Sequence, residues 1–403
     1  MSRRARWVLA AALSVTLAVM LWFLLATRDA GEGAVNLLRG LGSAVPAAAP
    51  EGAQWAQADS VASQTPSVHG DDEIELCGGL WVKATPEGLA DEDDLRRVTR
   101  LPEVRGRLID ELGAGSSEFA RAAAIWLRLA EGATAGDSLA RMASTTRDPL
   151  VYALAFNTCG QLRAAEGACQ LLNPEQWAKL DPDNATPWLH VLSRAAQRRD
   201  TATQSEALFR ISTSKLSDQH FFALPGLVLE HMPGDDATMP GALTLASEAI
   251  GVVAAWSLPG YEVLYDLCKA SALRDANRRQ TCGAVAELLV EHSDTLLERS
   301  VGITLGKRLG WPDERVERLR GEQAAYMESF GTLAAVTPSS GCDDLRRDME
   351  IMKRHARLGE AGALRDWVGR SGKRPDEFIR AERDLRSRLA AAASAASAAS
   401  APG

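Results

Sequence analysis

Apolar residues recur at intervals of three and four along almost the whole stretch from about residue 91 to residue 389. This spacing places apolar side chains on one face of an α-helix, and the alternation typical of strands is nearly absent. Pro, Gly or Asp interrupts the pattern at lengths suited to helices of about ten to eighteen residues. The pattern predicts an all-α domain over residues 76–389, with helical hairpins stacked into a solenoid or a compact bundle.

Local capping signals predict where several of these helices begin. The clearest is Asn173-Pro174-Glu175-Gln176, which combines an N-cap residue, proline at the first helical position and glutamine three residues after the cap. An acidic run at 91–94 predicts the start of the first helix, and residues 75–83 predict a short strand or loop pinned to the domain. Further helix starts are predicted at Ser116, Asp137, Asp148, Asp218 and Asp294.

The longest apolar run lies at the beginning of the chain, where residues 7–26 are twenty consecutive uncharged residues. A helix rises ~1.5 Å per residue, so about twenty residues cross a hydrocarbon core of about 30 Å. Arg3, Arg4 and Arg6 precede the run and Arg28 follows it, which predicts that residues 1–6 are a cytoplasmic tail and that the chain from Thr27 onward is outside.

A cleaved signal peptide is the alternative interpretation of this run. Signal peptides have shorter apolar regions, and the first and third residues before their cleavage site are small. The best candidate cleavage site here follows Ala30, and it places Arg28 where the second small residue is required. We therefore predict an uncleaved transmembrane anchor in a bacterial inner membrane, with a periplasmic C-terminal domain. Small residues at Ala10, Ser14 and Ala18 form a stripe that would permit a homodimer through the membrane helix.

Two other segments complete the domain organisation. Residues 27–75 are rich in Ala, Gly, Pro, Ser and Gln without a sustained period, which predicts a flexible linker, and residues 390–403 are an Ala/Ser-rich tail. Residues 242–258 are nearly as apolar as the anchor, but they contain Glu248. A charge at the centre of a membrane helix costs about 2.5–3.5 kcal/mol, so we predict a buried core helix for this segment.

Composition excludes some classes of partner. The chain has 53 Asp and Glu against 45 Lys and Arg, and its formal net charge is -8. Nucleic acids and anionic membrane surfaces require clustered positive charge, so we predict no nucleic-acid partner. Arginine outnumbers lysine and alanine is abundant, a composition that indicates an origin in a GC-rich bacterial genome.

The six cysteines predict disulfides. None of them lies in a CxxC, CxxCH or zinc-site spacing, and an exported domain meets an oxidising compartment in which cysteines pair. Six cysteines allow fifteen pairings, and the spacing alone does not choose among them.

Helical geometry favours one of these pairs. Cys268 and Cys282 each lie seven residues from Asp275, a good N-cap residue, and each shares an apolar helix face with leucine or valine. Two antiparallel helices joined near Asp275 would bring the two sulfurs together. The remaining candidates are Cys159 with Cys169, on either side of a turn at 160–167, and Cys77 with Cys342.

One stretch resembles a known family. Residues 180–189, with the sequence LDPDNATPWL, are followed by Arg199-Asp200 at a bend, and they resemble the junction between two tetratricopeptide repeats. The resemblance covers residues 148–255 and implies stacked helical hairpins, although Gln204 stands where the family has a small alanine. The chain as a whole resembles uncharacterised membrane-anchored proteins of proteobacteria, which implies no activity. Aromatic residues follow the ~34-residue period of the repeat at Tyr152, Trp188, Phe222 and Trp256.

The chemical motifs in the chain are incomplete. Ser212-Thr213-Ser214-Lys215 has the SxxK spacing of penicillin-binding enzymes without its partner motifs, so we predict ordinary helix-end residues. Residues 302–307 lack the full phosphate-loop spacing and predict a helix with two glycines. We predict no catalytic, cofactor or metal site. Other weak signals are His220 with His231, Glu287 with Glu291 and His292, and the sequon Asn184-Ala185-Thr186, which we interpret as a turn.

Two classes of function are compatible with these features. The first is a binding or scaffold module that offers a groove to a protein, peptide or envelope polymer. The alternative is an envelope enzyme such as a cell-wall hydrolase, with a site assembled from helix faces. A cleft that contains at least two carboxylates of perturbed acidity would favour the enzyme, and a concave surface lined by aromatic and arginine side chains would favour the binding module.

Overall fold

A computed structural model describes residues 73–83, 92–129, 134–162, 167–232, 238–254, 256, 258–330 and 342–399. The described chain begins with a two-stranded hairpin of β1 (Glu73–Leu76) and β2 (Leu80–Lys83). Gly78 and Gly79 have φ of +85° and +72° in its turn, a backbone conformation that glycine adopts without steric cost. Cys77 precedes them in the same turn, so the predicted short ordered segment near residues 75–83 is a β-hairpin.

The remaining described regions are mostly helical, which confirms the all-α part of the predicted fold class. Two 3₁₀ segments, Gly167–Leu171 and Ala272–Arg274, accompany the α-helices. The α-helices are α1 (Glu92–Val98), α2 (Leu101–Ala114), α3 (Glu118–Leu127), α4 (Thr134–Thr145), α5 (Pro149–Leu162), α6 (Pro174–Leu180), α7 (Ala185–Gln197), α8 (Thr201–Thr213), α9 (Ala223–His231), α10 (Met239–Val253), α11 (Glu262–Leu267), α12 (Ala276–Glu291), α13 (Leu296–Arg308), α14 (Asp313–Phe330), α15 (Cys342–Arg370) and α16 (Pro375–Ala399).

The capping signals locate most of the predicted helix starts to within a few residues. Asn173 caps α6 as predicted, since its Oδ1 accepts a hydrogen bond of 2.9 Å from the Gln176 backbone N–H. The caps of α3 and α13 are Ser117 and Thr295, one residue after the predicted positions. Asp218 does not begin a helix: α9 begins at Ala223, and the Asp218 side chain enters a polar cluster described below.

Two large hydrophobic cores, together with three smaller clusters, organise the described helices. The first core joins α2, α3 and α5 to α10, and Leu345 and Met349 of α15 contribute to it. The second core joins α7 and α8 to α11, α12 and α13. Because α9 and α10 return to the first core after α7 and α8 have entered the second, helices far apart in sequence pack together, as α2 and α10 do.

This connectivity differs from that of a linear solenoid, in which each repeat contacts only its neighbours. The helices α7 and α8 form an antiparallel hairpin, as the tetratricopeptide resemblance implies for this segment. The four aromatic residues of the 34-residue period do not occupy equivalent positions, however. Tyr152 and Trp188 lie within helices, Phe222 precedes α9 and Trp256 follows α10. The repeat type is therefore not confirmed.

The apolar segment 242–258 contributes to the first core, as predicted. Its helix α10 buries Ala242, Leu245 and Ala249, and Glu248 forms ion pairs with Arg105 and, at 3.1 Å, with Arg96. In the described ranges, no helix has both the length and the apolarity needed to cross a membrane. The predicted cytoplasmic tail, the anchor at 7–26 and the linker up to residue 72 lie outside the described residues. At the other end, α16 continues past the predicted domain boundary at 389.

Three disulfides join the pairs that the sequence favours. The Cα–Cα distances are 4.7 Å for Cys77–Cys342, 5.6 Å for Cys159–Cys169 and 5.9 Å for Cys268–Cys282, all below the ~7 Å limit for an unstrained bridge. Asp275 caps α12 by accepting a 2.7 Å hydrogen bond from the Arg278 backbone N–H, so the predicted turn is in place. The segment before it is the short α11 and a 3₁₀ turn instead of one long helix.

Replacing both Cys268 and Cys282 by serine should lower the free energy of unfolding by about 3 kcal/mol, because the disulfide closes a loop of about fifteen residues in the unfolded chain. Urea unfolding followed by circular dichroism measures this difference between the variant and the unmodified protein. In reducing buffer the two proteins should unfold at nearly the same urea concentration. Equal stability without reductant would contradict the estimate.

Candidate functional site

A cavity of about 430 Å³ lies between α5, α6, α7 and the segment that leads into α11. Its volume is within the range of about 300–1,000 Å³ that is typical of small-ligand sites. The cavity is lined by Phe156, Pro174, His190, Ser193, Arg194, Gln197, Leu258, Pro259, Gly260 and Glu262.

Helix α7 provides the polar wall of this cavity. His190, Ser193, Arg194 and Gln197 follow the spacing i, i+3, i+4 and i+7, which places them on one helix face. The other face of α7, with Leu189 and Leu192, packs into the second core, so the helix is apolar on one side and polar on the side that lines the cavity. The amphipathic period that stabilises the helix thus also aligns the four polar side chains.

The opposite wall depends on a glycine. The Gly260 backbone N–H donates a 2.6 Å hydrogen bond to Ser193 Oγ, which holds the incoming segment against α7. A Cβ at position 260 would lie 2.6 Å from Glu262 Oε1 and 2.9 Å from Ser193 Oγ. Glycine at this position leaves room for both side-chain ends, and the Glu262 carboxylate lies directly beside it.

Aromatic rings form the floor. Phe156, Trp177 and His190 have ring centroids 5.2–5.8 Å apart in tilted or edge-to-face arrangements. Burial lowers the pKa of His190 to about 4, so the imidazole is neutral at neutral pH. The His190 Nε2 atom is buried and has no hydrogen-bond partner within the described part of the protein.

The charges of the cavity wall are partly neutralised. The Arg194 Nη2 group donates to both carboxylate oxygens of Glu175 at 2.7 Å, and the Arg194 Nε–H is buried without a partner among the described residues. Glu262 is exposed and, in the same part of the chain, takes part in no ion pair. Its carboxylate is therefore the uncompensated charge of the wall.

Behind this cavity lies a set of ionisable residues, here called the acid–histidine cluster, in which Glu298 is fully buried and the others are partly buried: Asp181, Asp218, His220 and Asp294. Trp177 separates it from the cavity, since the ring centroid of Trp177 lies 5.8 Å from His190 on one side and 6.4 Å from His220 on the other. The cluster residues come from the connections α6–α7, α8–α9 and α12–α13 and from the first turn of α13.

His220 is a cation between two carboxylates. Its Nε2 lies 3.1 Å from Asp181 Oδ2 and its Nδ1 lies 3.3 Å from Asp218 Oδ2. Burial opposes the charge on the ring, but the hydrogen bonds and charges of the two carboxylates outweigh burial and raise the pKa of His220 to about 9. His220 also has a φ of +57°, a costly conformation for a residue with a Cβ, and the Asp218 side chain stabilises it by accepting a hydrogen bond from the His220 backbone N–H.

The other acids of the cluster favour the neutral form. Burial, together with the charges of Asp218 and Glu298, raises the pKa of Asp294 well above its usual range. Burial likewise raises the pKa of Glu298 to about 7, although Glu298 Oε1 accepts hydrogen bonds from Gln219 Nε2 at 2.7 Å and the Tyr261 hydroxyl at 3.0 Å. Perturbed acids of this kind mark many active sites, but they also occur in structural networks.

Asn184 connects this cluster to the backbone. Its Nδ2 donates to Asp181 Oδ2 and to the Asp218 carbonyl, both at 2.8 Å. Its Oδ1 accepts from the backbone N–H groups of Thr186 at 3.0 Å and Asp218 at 2.9 Å. The side chain is fully buried and all four of its hydrogen-bonding positions are occupied. Asn184 is therefore a structural residue, and the sequon that contains it is not accessible.

The structure places the other sequence-predicted candidates apart from the cavity. Ser212 Oγ donates to the Phe209 carbonyl at the end of α8, and Lys215 pairs with Asp183 at 2.8 Å, as expected for helix-end residues. Residues 302–307 are part of α13. His220 and His231 do not share a helix face, because His220 lies in the connection before α9.

The zinc-like group of acids is also occupied by ordinary contacts. Glu287 forms a two-point ion pair with Arg315 at 2.8 and 2.6 Å, and His292 caps the end of α12. His231 lies 2.8 Å from Glu111. In the portion of the chain that the structure describes, no group of three His, Cys, Asp or Glu residues could hold a metal ion.

Sequence reasoning missed both the cavity and the acid–histidine cluster. Asp181 and Asn184 belong to the stretch that resembles a repeat junction, and Asp218 has the features of a helix cap. Asp218 lies 34 residues after Asn184, and Asp294 follows Asp218 by 76 residues, so no local spacing indicates that they meet. Comparison with protein-family models, curated proteins and solved structures finds no match for this chain.

Replacing Asn184 by aspartate should lower the free energy of unfolding by about 3 kcal/mol or more, because it removes two buried donors and adds a buried charge beside Asp181. Asn173→Asp is the matched control, since Asn173 caps α6 as an acceptor and aspartate is an equally good N-cap. Urea unfolding of both variants measures the contrast. Equal effects at the two positions would show that the hydrogen bonds of Asn184 do not stabilise the fold.

The cluster also predicts how stability depends on pH. A group whose pKa is higher in the folded than in the unfolded protein adds stability at low pH, and this contribution is lost as pH rises. The contribution of Glu298 should therefore decrease between pH 4.5 and about 7. The contribution of His220 should decrease between pH 6.5 and about 9. Glu298→Gln should remove the first decrease, worth at most about 3 kcal/mol, and leave the second. Urea midpoints of the unmodified protein and of Glu298→Gln, measured from pH 4.5 to 9, test this by their difference, because His190, whose pKa burial lowers to about 4, makes both proteins more stable as pH rises towards 6.5. A difference in stability between the two proteins that stays constant from pH 4.5 to 7 would contradict the prediction.

Proposed function

We propose that this protein is a binding module held at the outer face of a bacterial inner membrane, and that the cavity beside α7 binds part of a protein or peptide partner. The observation that carries the proposal is the wall of that cavity. It combines apolar side chains, including the exposed Leu258, with hydrogen-bonding groups, so the cavity can make both kinds of contact that ligand sites use.

Two features support export to the periplasm. All six cysteines are paired in disulfides, and disulfides persist in oxidising compartments. The apolar run at 7–26 is long enough to span a bilayer, and the excess of arginine before it favours an outward C-terminal domain.

The arrangement of acids favours binding over hydrolysis. A hydrolase of envelope polymers would require two carboxylates facing one cleft. Among the residues that line the cavity, Glu262 is the sole carboxylate, and the acids with raised pKa lie behind Trp177 in the interior. Ser193 Oγ accepts a hydrogen bond from Gly260 and forms none with His190, so no activated nucleophile is assembled.

A photoreactive amino acid placed at position 197 tests the proposal. Gln197 is exposed and lines the cavity, so a photoreactive residue there should form a discrete covalent adduct with an envelope partner in living cells. Gln280 is the matched control, because it is an exposed glutamine on α12 that does not line the cavity. We expect an adduct from position 197, none from position 280, and loss of the adduct when Leu258→Arg is added.

Equal labelling at positions 197 and 280, or no adduct at either, would contradict a binding role for the cavity. An adduct with a cytoplasmic protein would contradict export of the domain.

A further inference from the structure

The charge of the cavity wall restricts the ligand. Arg194 is neutralised by Glu175 at 2.7 Å, and the His190 imidazole is uncharged. The Glu262 carboxylate has no ion-pair partner in the described part of the chain, so Glu175, Arg194 and Glu262 together carry a net charge of about one negative unit. A positively charged group placed beside Glu262 gains favourable Coulomb energy, whereas an anion is repelled.

The hydrogen-bonding groups add a second requirement. His190 and Arg194 lie one turn apart on the cavity face of α7, and each has a buried nitrogen without a partner in the described structure. An unpaired buried polar atom costs about 1–3 kcal/mol, so a ligand that pairs with one of them gains that energy on binding. The Arg194 Nε–H can only donate, and it therefore requires an acceptor such as a carbonyl oxygen.

The third requirement is apolar. Phe156 and Pro174 line one side of the cavity. Leu258, in the segment that leads into α11, also lines the cavity and has more than half of its surface exposed. Contact with an apolar group would remove the Leu258 side chain from water.

We propose that the cavity binds the free N-terminal residue of a peptide, with the α-ammonium group at Glu262, the first carbonyl oxygen at the Arg194 Nε–H and an apolar side chain against Phe156 and Leu258. This inference rests on the binding function proposed above and specifies its ligand. An N-terminal residue carries a cation, an acceptor and an apolar body on one carbon atom, and these match the three requirements of the wall.

Three probes with the same leucine side chain separate the effect of charge. Leucine N-methylamide is a cation, N-acetyl-leucine N-methylamide is neutral and N-acetyl-leucine is an anion. Their binding to the full chain in lipid nanodiscs at pH 6.5 can be measured by ligand-detected NMR, with dissociation constants expected on the order of millimolar for molecules of this size. The cation should bind more tightly than the neutral probe by up to about fivefold, because an exposed ion pair contributes up to about 1 kcal/mol.

Two variants test the assigned contacts. Glu262→Gln should abolish the preference for the cation and leave the neutral probe unaffected, whereas Glu314→Gln, an exposed glutamate in the first turn of α14, should leave the preference intact. Arg194→Lys retains the charge opposite Glu175 but removes the Nε–H, so it should weaken all three probes by a similar factor. The cation preference should also decrease as the salt concentration rises.

Several results would overturn the assignment: equal affinity for the cation and the neutral probe, tightest binding of the anion, or a preference that persists in Glu262→Gln. Tighter binding of N-acetyl-lysine N-methylamide than of leucine N-methylamide would also overturn it, because the site would then recognise a side-chain ammonium group instead of the α-ammonium group. If no probe binds while the adduct from position 197 forms, the ligand assignment fails and the binding function stands. If neither is observed, both fail.

Discussion

The hydrogen bonds of Asn184 are the constraint on which the rest of the structure depends. One amide side chain saturates its four hydrogen-bonding positions with Asp181, Thr186 and two groups of Asp218, and it does so without access to water. Main-chain bonds continue from this point: the Ser217 N–H donates to the His292 carbonyl, and the Asp294 N–H donates to the Ser217 carbonyl. Connections that belong to three different helix pairs are thereby fixed to one another.

The same chain of contacts reaches the C-terminal helices. The Ala361 N–H donates to the Asp294 carbonyl at 3.0 Å, just beyond the point where Gly359 interrupts α15. Gly359 has a φ of +67°, and a Cβ there would lie 2.7 Å from the Asp294 carbonyl oxygen. The interruption of α15 is thus the geometric consequence of bringing this helix against the Asp294 backbone, and glycine is the residue that tolerates both the conformation and the contact.

The sequence predicted what depends on local order and missed what depends on distant contacts. The helical period, the cap at Asn173 and the turn at Asp275 are local, and the structure has them where the pattern indicates. Asp218 has the features of a helix cap, but its carboxylate pairs with the His220 ring and accepts a hydrogen bond from the His220 backbone N–H. Tertiary contacts here override a local preference. The cavity could not be predicted, since its walls come from α5, α6, α7 and the α11 segment, which no sequence period relates.

The position of the ionisable groups separates the acids of the interior from the acid that lines the cavity. In the interior, Asp181 and Asp218 share one cation, His220, and burial raises the pKa values of Asp294 and Glu298, which limits the negative charge of the cluster. Glu262 is different, because it lies at an open surface and no cation offsets it in the described chain. A surface carboxylate stays hydrated at little cost in free energy. It distinguishes a cation from a neutral group only when the cation replaces its bound water. Trp177, fully buried between His190 and His220, keeps the two environments apart, so the contacts of the interior cluster do not depend on the residues of the cavity wall.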